Sequence, residues 1–558
     1  MDDTCAIQDG IHVFSLVQIC VQDSGYISEE GHFIFGYHLC MENTINHNTS
    51  HVDYTPYQLR LPLDLSLVID KLDPMWSFLE IVNSINLRRF IRSHKGNQGY
   101  NPIMMMRVVL FAYMNHVYSL RAIEEKCKTD IRFMYLCQDE RPSFMAFQRF
   151  ISNQIKGNAS DIFTEIMSVI CKKMKVNTRI LYIDGTSMEA SANKFSFVWK
   201  KTAIKTKDKT LSRIMDTIGQ LTKLTDIFYT ENYEDTQAIG GYIVSIWLWC
   251  AKNKVQFVSG KGHHKTPVQK AYEELKKLNE KLKECQKRID ICGNDRNSYS
   301  KTDHDATFMH MKYDYYNNTG VFKPGYNVQL AESDEFIMNV MVSNARSDTK
   351  TFIPFMDSYE KRYKGYPGIV VADAGYGSYD NYMYCLEKDI DSYLKYQNYR
   401  YEKTVKFKKD IYRKENLLRE ENGKLICPQS REFIYKQDSE NTKTNYLCIT
   451  QVWECKTCNR CPLKKDCTKA KTRAVRINPI LDELKIHAKE LLDSEAGIQL
   501  RQQRCIQAEG TFGIIKNDWQ YNRIHRRGME NVENELYLIC MGFNLMKYHQ
   551  KKMRMILS

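Results

Sequence analysis

The segment LYIDGTSMEASANKFSFVWKK, residues 181–201, begins with an apolar, β-branched run that meets an aspartate, then a glycine and a threonine. The run predicts a buried β-strand that ends at Asp184. A second segment, GIVVADAGYG at residues 368–377, repeats this pattern and carries Asp373 in the same place. In open α/β sheets the polar site lies just beyond the carboxyl ends of the strands. The sequence therefore predicts an α/β sheet that brings two carboxylates to one edge.

A third acid is expected from a helix beside that edge. In RCIQAEGTFGIIK, Glu509 and Lys516 are separated by about two helical turns, so we expect them on one helix face. Basic residues surround this acid and suit phosphate binding: Arg504, Lys516, Arg523, Arg526 and Arg527. Two other acids, Asp303 and Asp305, fall in a predicted turn before a hairpin and are not assigned to the site.

Three carboxylates with a basic rim favour metal-assisted phosphodiester chemistry. Hard divalent cations such as Mg²⁺ take oxygen ligands and keep positions open for water and phosphate oxygens. Two such cations can activate a nucleophile on one side and stabilise the leaving oxygen on the other.

Composition limits the class of protein. The chain has 558 residues, and its 80 Lys and Arg against 67 Asp and Glu give a formal net charge of +13, which favours an anionic partner. No apolar run reaches the roughly 18 residues that a bilayer span needs. The 18 cysteines are not spaced as a small secreted framework, so a reducing compartment is favoured. We expect a soluble intracellular protein without a membrane partner.

Residues 1–53 have no clear periodicity and are predicted as an extension without an assigned function, whereas residues 54–174 are predicted as an all-α domain. Within it, SLRAIEEKCKTDIRFMYL and RPSFMAFQRFISNQI predict two short helices, with Ser119 and Ser143 as N-caps and Gln148 and Arg149 on the second helix. A DNA-reading helix-turn-helix and an ordinary helical bundle both remain open.

Residues 175–558 are predicted as a catalytic domain with two insertions. The first, at about 201–300, is lysine-rich and helical, and its heptad-like segment PVQKAYEELKKLNEKLKECQKRID predicts a solvated helix or arm. After it, KPGYNVQLAESDEFIMNVMVSNA predicts a β-hairpin that turns at ESDE. Just before the insertion, Trp199 with Lys200 and Lys201 could stack on DNA and neutralise it, although a partly buried tryptophan is equally compatible.

The second insertion, at about 400–475, is rich in cysteine. Its CKTCNRCPLKKDC segment contains overlapping C-x2-C steps, which favour a structural Zn²⁺ site over disulfides in an intracellular chain. Cys458, Cys461 and Cys467 are the first choices as ligands, with Cys427 as the fourth. Six thiols in the segment exceed the four that a tetrahedral site takes, and redox sensing is the alternative.

Several of these blocks resemble one family. The segments DGTSMEASANKFSFVWKK, TDHDATFMHMK with PGYNVQL, VVADAGYGSYDNYMY, and RCIQAEGTFGIIK with RRG resemble blocks of bacterial insertion-sequence transposases of the Asp-Asp-Glu (DDE) superfamily. GYNPIMMMRVVLFAYMNHVYSLRAIEEKC resembles the helical domain that precedes their catalytic core. The resemblance runs from residue 54 to about residue 549. It implies an RNase H-like core in which Asp184, Asp373 and Glu509 form the catalytic triad and hold Mg²⁺ or Mn²⁺.

The resemblance also implies an activity and its partners. We expect metal-dependent cleavage at the ends of an insertion sequence, followed by strand transfer into target DNA. The expected partners are double-stranded DNA, namely terminal inverted repeats and target, and a second copy in a homodimer; the expected location is the nucleoid of a prokaryotic cytoplasm. A nuclease without joining activity and a non-catalytic DNA-binding derivative remain as alternatives. Gln502 and Cys505 stand where related enzymes carry Tyr and Arg, and Arg504 is one place early, which leaves strand handling open.

Overall fold

The computed structural model divides the chain by its contacts into two units, Met1–Asp70 and Lys71–Ser558. In the first unit, Tyr26–Ile27 pairs antiparallel with Phe33–Ile34, and Leu65–Val68 is helical. Most of the extension predicted at residues 1–53 lies outside the described residues. Apart from those two short strands, the structure describes residues 65–90, 99–138, 140–260, 262–311, 320–420 and 424–558.

A six-stranded sheet forms the centre of the second unit. Its strands follow the order β8-β7-β1-β5-β4, and β6 lies outside this order and pairs with β5. The strand pairs β1–β7 and β7–β8 are parallel, whereas β1–β5, β5–β6 and β4–β5 are antiparallel. A separate pair, β2 with β3, stands beside the sheet. The strands are β1 (Ile180–Glu189), β2 (Phe197–Trp199), β3 (Ser298–Ser300), β4 (Thr307–Met311), β5 (Val321–Ser333), β6 (Phe336–Ser343), β7 (Ile369–Ala372) and β8 (Asp391–Leu394).

The hairpin predicted at ESDE is confirmed as β5 and β6. Asp334 and Glu335 form its two-residue turn with φ of 49° and 66°. Two successive residues at positive φ are the mark of a type I′ turn, whose twist matches that of the flanking strands. Two helices connect β6 to β7 and β7 to β8: Phe352–Tyr363 and Tyr379–Glu387.

The helices before the sheet pack on the last helix of the chain. Helix α14 (Met529–Leu557) contacts α1, α2 and α6, and its middle is buried along most of its circumference. The boundary predicted near residue 174 therefore separates two regions that share one core. The helices in this region are α1 (Pro74–Val82), α2 (Pro102–Met114), α3 (Leu120–Thr129), α4 (Ile131–Cys137), α5 (Phe144–Phe150) and α6 (Ala159–Met174).

The first insertion is helical, as predicted, but it is not a solvated arm. Three helices, α7 (Lys200–Thr225), α8 (Thr236–Lys252) and α9 (Pro267–Cys292), enclose a core of their own. The apolar heptad positions of α9, among them Leu275 and Leu282, are completely buried in that core. The mixed charges on one face of α9 led to the prediction of a solvated helix, but another face of α9 is apolar and is covered by α7 and α8.

The remaining chain holds the cysteine-rich segment and the helices that return to the sheet. Strands β11 (Ile434–Glu440), β12 (Ile449–Cys455) and β13 (Arg473–Ile477) form a small antiparallel sheet beside the pair β9 (Leu418–Arg419) and β10 (Leu425–Ile426). Helices α12 (Pro479–Asp493) and α13 (Glu495–Arg504) follow; the two helices between the sheet strands are α10 (Phe352–Tyr363) and α11 (Tyr379–Glu387). Among the described helices, none is both long and apolar enough to cross a membrane.

Candidate active site

Strand β1 carries the first aspartate of the site at its middle. The predicted end of the strand at Asp184 is wrong, because β1 continues to Glu189 as a partner of β5. Its parallel neighbour β7 is much shorter and ends at Ala372, and Tyr182 lies opposite Val371 in their register. Two residues further along each strand, Asp184 and Asp373 therefore reach the same level at the edge that β7 leaves open. The predicted meeting of the two aspartates follows from the register.

Asp184 is largely buried and lies among other charged side chains. Burial raises the pKa of its carboxyl to about 6; the nearby Arg504 guanidinium opposes that shift, and the charges of Asp373 and Glu509 add to it. Arg504 Nη1 lies 3.4 Å from Asp184 Oδ1. Carboxylates that act on one another in this way share a site in which added positive charge is favourable.

Glu509 reaches the site from an irregular helix. The chain continues from α13 as two π-helical segments, Cys505–Glu509 and Ile514–Asp518, on either side of the short α-helical stretch Gly510–Gly513. Such π segments inside a helix often occur at functional sites. Glu509 Oε1 accepts a hydrogen bond from Arg504 Nη2 at 2.5 Å, so one guanidinium links Glu509 to Asp184.

Lys516 also faces β1. Its Nζ donates to Thr186 Oγ1 at 2.5 Å and to the carbonyl of Ser187 at 3.2 Å. Glu509 and Lys516 thus approach the same strand, as expected for one helix face, although the π segments change the angle per residue between them.

The donors fit a hard divalent cation. Asp184 and Asp373 offer carboxylate oxygens at one level, and Glu509 is joined to Asp184 through Arg504. That guanidinium is 5% exposed at its side chain, and its Nε has no hydrogen-bond partner in the described part of the chain. A cation that replaced the guanidinium between the acids would satisfy the same carboxylates. Within the described residues, no three Asp, Glu, His or Cys side chains already form a closed metal-binding cluster.

A fourth carboxylate, Asp348, was missed by the sequence analysis. It follows β6, and its Oδ1 accepts hydrogen bonds from Asn327 Nδ2 at 2.7 Å and Gln329 Nε2 at 2.9 Å, both on β5. A side chain at Gly185 would come within 2.8 Å of Asp348 Oδ1, and one at Gly375 within 3.1 Å of Oδ2. Asp348 therefore lies against the glycines that follow the two site aspartates. The sequence analysis did not select Asp348, because a single acid after a strand usually serves only in a turn.

Lys395 is a second residue that the sequence did not reveal. Leu394 lies opposite Ala372 in the parallel register of β8 and β7, so Lys395 comes level with Asp373 at the sheet edge. Lys395 is only 6% exposed. Burial lowers the pKa of its ammonium group, and the charges of Arg504, Arg400 and Arg501 lower it further.

Two family models match the chain. One is described as a transposase DDE domain and matches residues 426–549, and the other is described as a transposase domain (DUF772) and matches residues 63–153. The first match contains Glu509, and the second covers helices α1 to α5. Together the two matches support an insertion-sequence transposase of the DDE type. No curated protein and no solved structure gave a significant match.

The basic residues that follow Glu509 have different surroundings. Arg527 Nε donates to the carbonyl of Ser191 at 2.6 Å, and Arg523 Nε lies 3.7 Å from a carboxylate oxygen of Glu189, so both stay at the exposed end of β1. Arg526 is half-buried, and its backbone nitrogen donates to Glu535 Oε2 at 3.0 Å. Its role as a phosphate contact stays a prediction.

The segment around Trp199 is exposed. Trp199 is 42% exposed and packs edge-on against Phe308 with ring centroids 5.0 Å apart. Lys200 Nζ donates to the carbonyl of Gly293 at 2.5 Å, and Lys201 is exposed. A role of this segment in DNA contact stays a prediction.

In the helical region, Gln148 and Arg149 lie on α5 as predicted. Gln148 is half-buried and donates to Ser152 Oγ at 3.0 Å, whereas Arg149 is exposed. Ser143 caps α5 by accepting from the backbone of Ala146, but Ser119 makes no side-chain cap bond. Whether these helices read DNA stays a prediction.

Asp303 and Asp305 have structural partners. Asp303 is buried and accepts from the Tyr326 hydroxyl at 2.8 Å and from the backbone of Gly528 at 3.2 Å. Asp305 accepts from the backbone of Met529 at 2.8 Å. Both acids therefore fix the loop that leads into α14, which agrees with their exclusion from the triad.

The cysteine-rich segment surrounds a small cavity of about 20 Å³. A cavity of this volume accommodates one water-sized particle. Its walls include the four predicted ligands and Cys455, which the sequence analysis had not chosen; the five cysteines are Cys427, Cys455, Cys458, Cys461 and Cys467. Cys448 is directed elsewhere and accepts a hydrogen bond from Asn478 Nδ2 at 3.2 Å.

Two features suit thiolate ligands at this cavity. The guanidinium of Arg473 donates to Cys467 Sγ at 2.9 Å, and the backbone of the same residue donates to Cys458 Sγ at 3.4 Å. Burial, together with the neighbouring Cys458 thiol, raises the pKa of Cys455 to about 11, so a thiolate at Cys455 requires a nearby cation. Cysteine sulfurs are the donors that tetrahedral Zn²⁺ takes, but within the described residues they do not already form a closed metal cluster.

Proposed function

We propose that this chain cleaves phosphodiester bonds at the ends of an insertion sequence and joins the freed 3′ ends to target DNA, in a reaction that depends on Mg²⁺ or Mn²⁺. The observation that carries this proposal is the meeting of three acids at one sheet edge: Asp184 and Asp373 share a level in the sheet, and one guanidinium links Asp184 to Glu509. Binding DNA would not by itself require three mutually repelling acids. Holding divalent cations does.

The sheet order supports an RNase H-like core. The sheet strands that come first in the chain, β1, β4, β5 and β6, are joined by antiparallel pairs, and β7 and β8 are then added parallel to β1 on its other side. The first acid lies on the central strand, the second follows β7, and the third lies on a later helix. The helical and cysteine-rich segments enter between these elements as two insertions, and residues 54–174 precede them.

Each acid has a defined task in this mechanism. Asp184 and Asp373 would hold the cation, and Glu509 would complete the ligand set once the Arg504 guanidinium moves from between the acids. Bound there, the cation polarises phosphate oxygens and lowers the pKa of water. Arg504, once it has moved from between the acids, would pair with a phosphate. Lys516, held on β1 by Thr186, supplies a second positive charge beside the reacting strand.

The DNA-binding tasks divide between two regions in our proposal. Gln148 and Arg149 on α5 would recognise the element ends, while the core would contact phosphates without regard to sequence. Because a transposition reaction must handle two ends, we propose that two copies of the chain act together. The cysteine cavity would hold one structural Zn²⁺ that keeps the second insertion folded.

A cleavage assay tests the central proposal. A labelled duplex copied from the DNA that flanks the gene is incubated with the full chain and Mg²⁺, and both strand cleavage and joining to a plasmid are measured. Asp373→Asn is expected to lower both by at least ~1000-fold, because it removes a ligand charge. Asp295→Asn is the matched control, since Asp295 pairs only with the exposed Lys350. Full activity of Asp373→Asn would refute the assignment.

The same assay separates the alternatives. Cleavage without joining would identify a nuclease. Tight binding of the duplex with neither reaction, and with no effect of Mg²⁺, would identify a non-catalytic DNA-binding derivative.

A further inference from the structure

The carboxyl edge of the sheet carries a lysine, Lys395, at the same level as its two aspartates. Lys395 directly follows β8, as Asp373 directly follows β7, and the β7–β8 register places them side by side. Asp184 on β1 occupies the corresponding level on the other flank of β7. The edge therefore presents, across three neighbouring strands, two acids and then a lysine.

The backbone around Lys395 is held tightly. Its amide nitrogen lies 3.5 Å from the carbonyl of Ala372, in continuation of the strand pairing. A side chain at Gly377 would overlap the carbonyl oxygen of Lys395, so the loop after Asp373 packs directly on this backbone. The lysine is thus fixed relative to Asp373.

The ammonium group of Lys395 forms no ion pair in the described part of the chain. The residue is 6% exposed, and no described residue gives its ammonium group a hydrogen bond. Its charged neighbours include three guanidinium groups, those of Arg504, Arg400 and Arg501. Burying an unpaired charge destabilises a folded protein, and like charges nearby increase that cost. A buried lysine among three arginines is an arrangement that an incoming anion would stabilise.

Of these three arginines, Arg504 is already engaged by Asp184 and Glu509. Arg501 lies over the Tyr399 ring at 5.5 Å and donates to the carbonyl of Gly497 through Nε, and Arg400 is exposed. Arg400 and Arg501 can therefore turn their remaining N–H groups toward a ligand at Lys395.

We infer that Lys395, together with Arg400 and Arg501, forms a phosphate-binding subsite beside the catalytic carboxylates. Its ligand is a backbone phosphodiester of the DNA strand next to the bond that is cut. The inference rests on the proposed function. The subsite contacts no base edge, so it holds the strand irrespective of sequence and positions the scissile phosphate on the Asp373 side of the metal site.

Three variants of the full chain test the subsite. Lys395→Met removes the charge at nearly constant length, Lys395→Arg keeps the charge, and Lys361→Met is the matched control. Lys361 is exposed in the last turn of α10, which leads into the opposite end of β7. Affinity for a fluorescent duplex is measured over a salt series, with Ca²⁺ in place of Mg²⁺, and thermal unfolding is recorded without DNA.

We expect Lys395→Met to weaken duplex binding about tenfold and to lower the slope of log affinity against log salt by about 0.9, the value for one phosphate contact. Lys395→Arg should restore the slope, and Lys361→Met should leave affinity and slope unchanged. Without DNA, Lys395→Met should unfold at a temperature equal to or above that of the wild type, because it removes a buried charge without a partner. A purely structural lysine would give the opposite thermal result.

Two results would overturn the inference. One is a salt slope for Lys395→Met equal to that of the wild type in a protein that cleaves DNA. The other is a combination of two results: inorganic phosphate raises the unfolding temperature of the wild type but not of Lys395→Met, and the salt slopes of the two proteins are equal. That combination would identify a site for free anions. If the wild type fails to cleave DNA but the slope changes as expected, the proposed function fails while phosphate binding at Lys395 stands.

Discussion

Asp348 shows how much a single side chain adds to this site. Its Oδ1 is fixed by two amide groups from β5, whereas its Oδ2 faces Gly375, the residue whose backbone nitrogen donates to Asp373 Oδ1 at 2.8 Å. The carboxylate is therefore oriented from behind and adds negative charge beside the acids that we propose to bind the metal. From that arrangement we expect Asp348 to help position the cation.

Asp348→Asn should raise the Mg²⁺ concentration needed for half-maximal cleavage severalfold and lower the cleavage rate about tenfold. The physical reason is the loss of one negative charge beside the cation. DNA affinity measured without divalent cations should not change. Titration of Mg²⁺ in the cleavage assay, with Asp295→Asn as the control, measures the effect. A variant that only unfolds at lower temperature, with an unchanged Mg²⁺ requirement, would show that Asp348 serves the fold alone.

The three acids that we propose as the triad could be selected from the sequence, whereas Asp348 and Lys395 could not. Asp184 and Asp373 each follow an apolar run that marks a strand, and Glu509 lies in a recognisable helical segment. Asp348 and Lys395 depend on which strands are neighbours and in what register, namely β5 beside β1 and β8 beside β7. That information arises only when the sheet is assembled.

Among the elements, β1 shows why strand ends are hard to predict. The apolar run stops at Asp184, yet the strand continues for five residues because β5 supplies hydrogen-bonding partners as far as Glu189. Helix α9 shows the converse, since its lysines suggested a solvated face while its leucines meet α7 and α8. Pairing and packing with distant elements decided both cases.

The cysteine-rich element yields a prediction about metal content. Purified under reducing conditions, the full chain should contain one Zn²⁺ per molecule. Cys455→Ser and Cys458→Ser should lower that content and the unfolding temperature, because the small sheet would lose the ion that holds it together. Cys448→Ser should retain the metal, since Cys448 does not line the cavity. Elemental analysis of the three variants decides, and zinc-free wild-type protein would refute the proposal.

At the scale of the whole molecule, Glu80 joins the first helix to the last. Its carboxylate accepts hydrogen bonds from Lys173 Nζ at 2.7 Å, Lys552 Nζ at 2.6 Å and the Tyr548 hydroxyl at 2.9 Å. Burial alone would raise the pKa of Glu80, but these three donors outweigh it and lower the pKa from 4.5 to about 2. The ion pairs therefore stabilise the folded chain while Glu80 is ionised.

Glu80→Gln should accordingly destabilise the protein by about 1 kcal/mol at neutral pH, a modest value because the side chain is partly solvated. The stabilisation by Glu80 is fully present above its unfolded pKa of 4.5 and is lost as the pH falls through its folded pKa of about 2. The difference in free energy of unfolding between wild type and variant should thus be constant from roughly pH 5 to pH 8 and should shrink below that range. Thermal unfolding against pH measures it, with Glu125→Gln on the exposed face of α3 as the control. A difference that grew on acidification would contradict this assignment.

The division of DNA binding between the helical region and the core requires point variants. Deleting the residues before Lys175 would expose the face of α14 that packs on α1, α2 and α6, so a truncated chain would not report on recognition alone. Arg149→Ala removes an exposed cation from α5 and should lower the preference for element-end duplex over random duplex by about tenfold. Arg527→Ala, at the end of β1, should weaken both duplexes equally and flatten their salt slopes by about 0.9. Competition binding at two salt concentrations measures both effects. If Arg149→Ala behaves like Arg527→Ala, α5 contacts only phosphates, and the three-helix insertion becomes the place to search for end recognition.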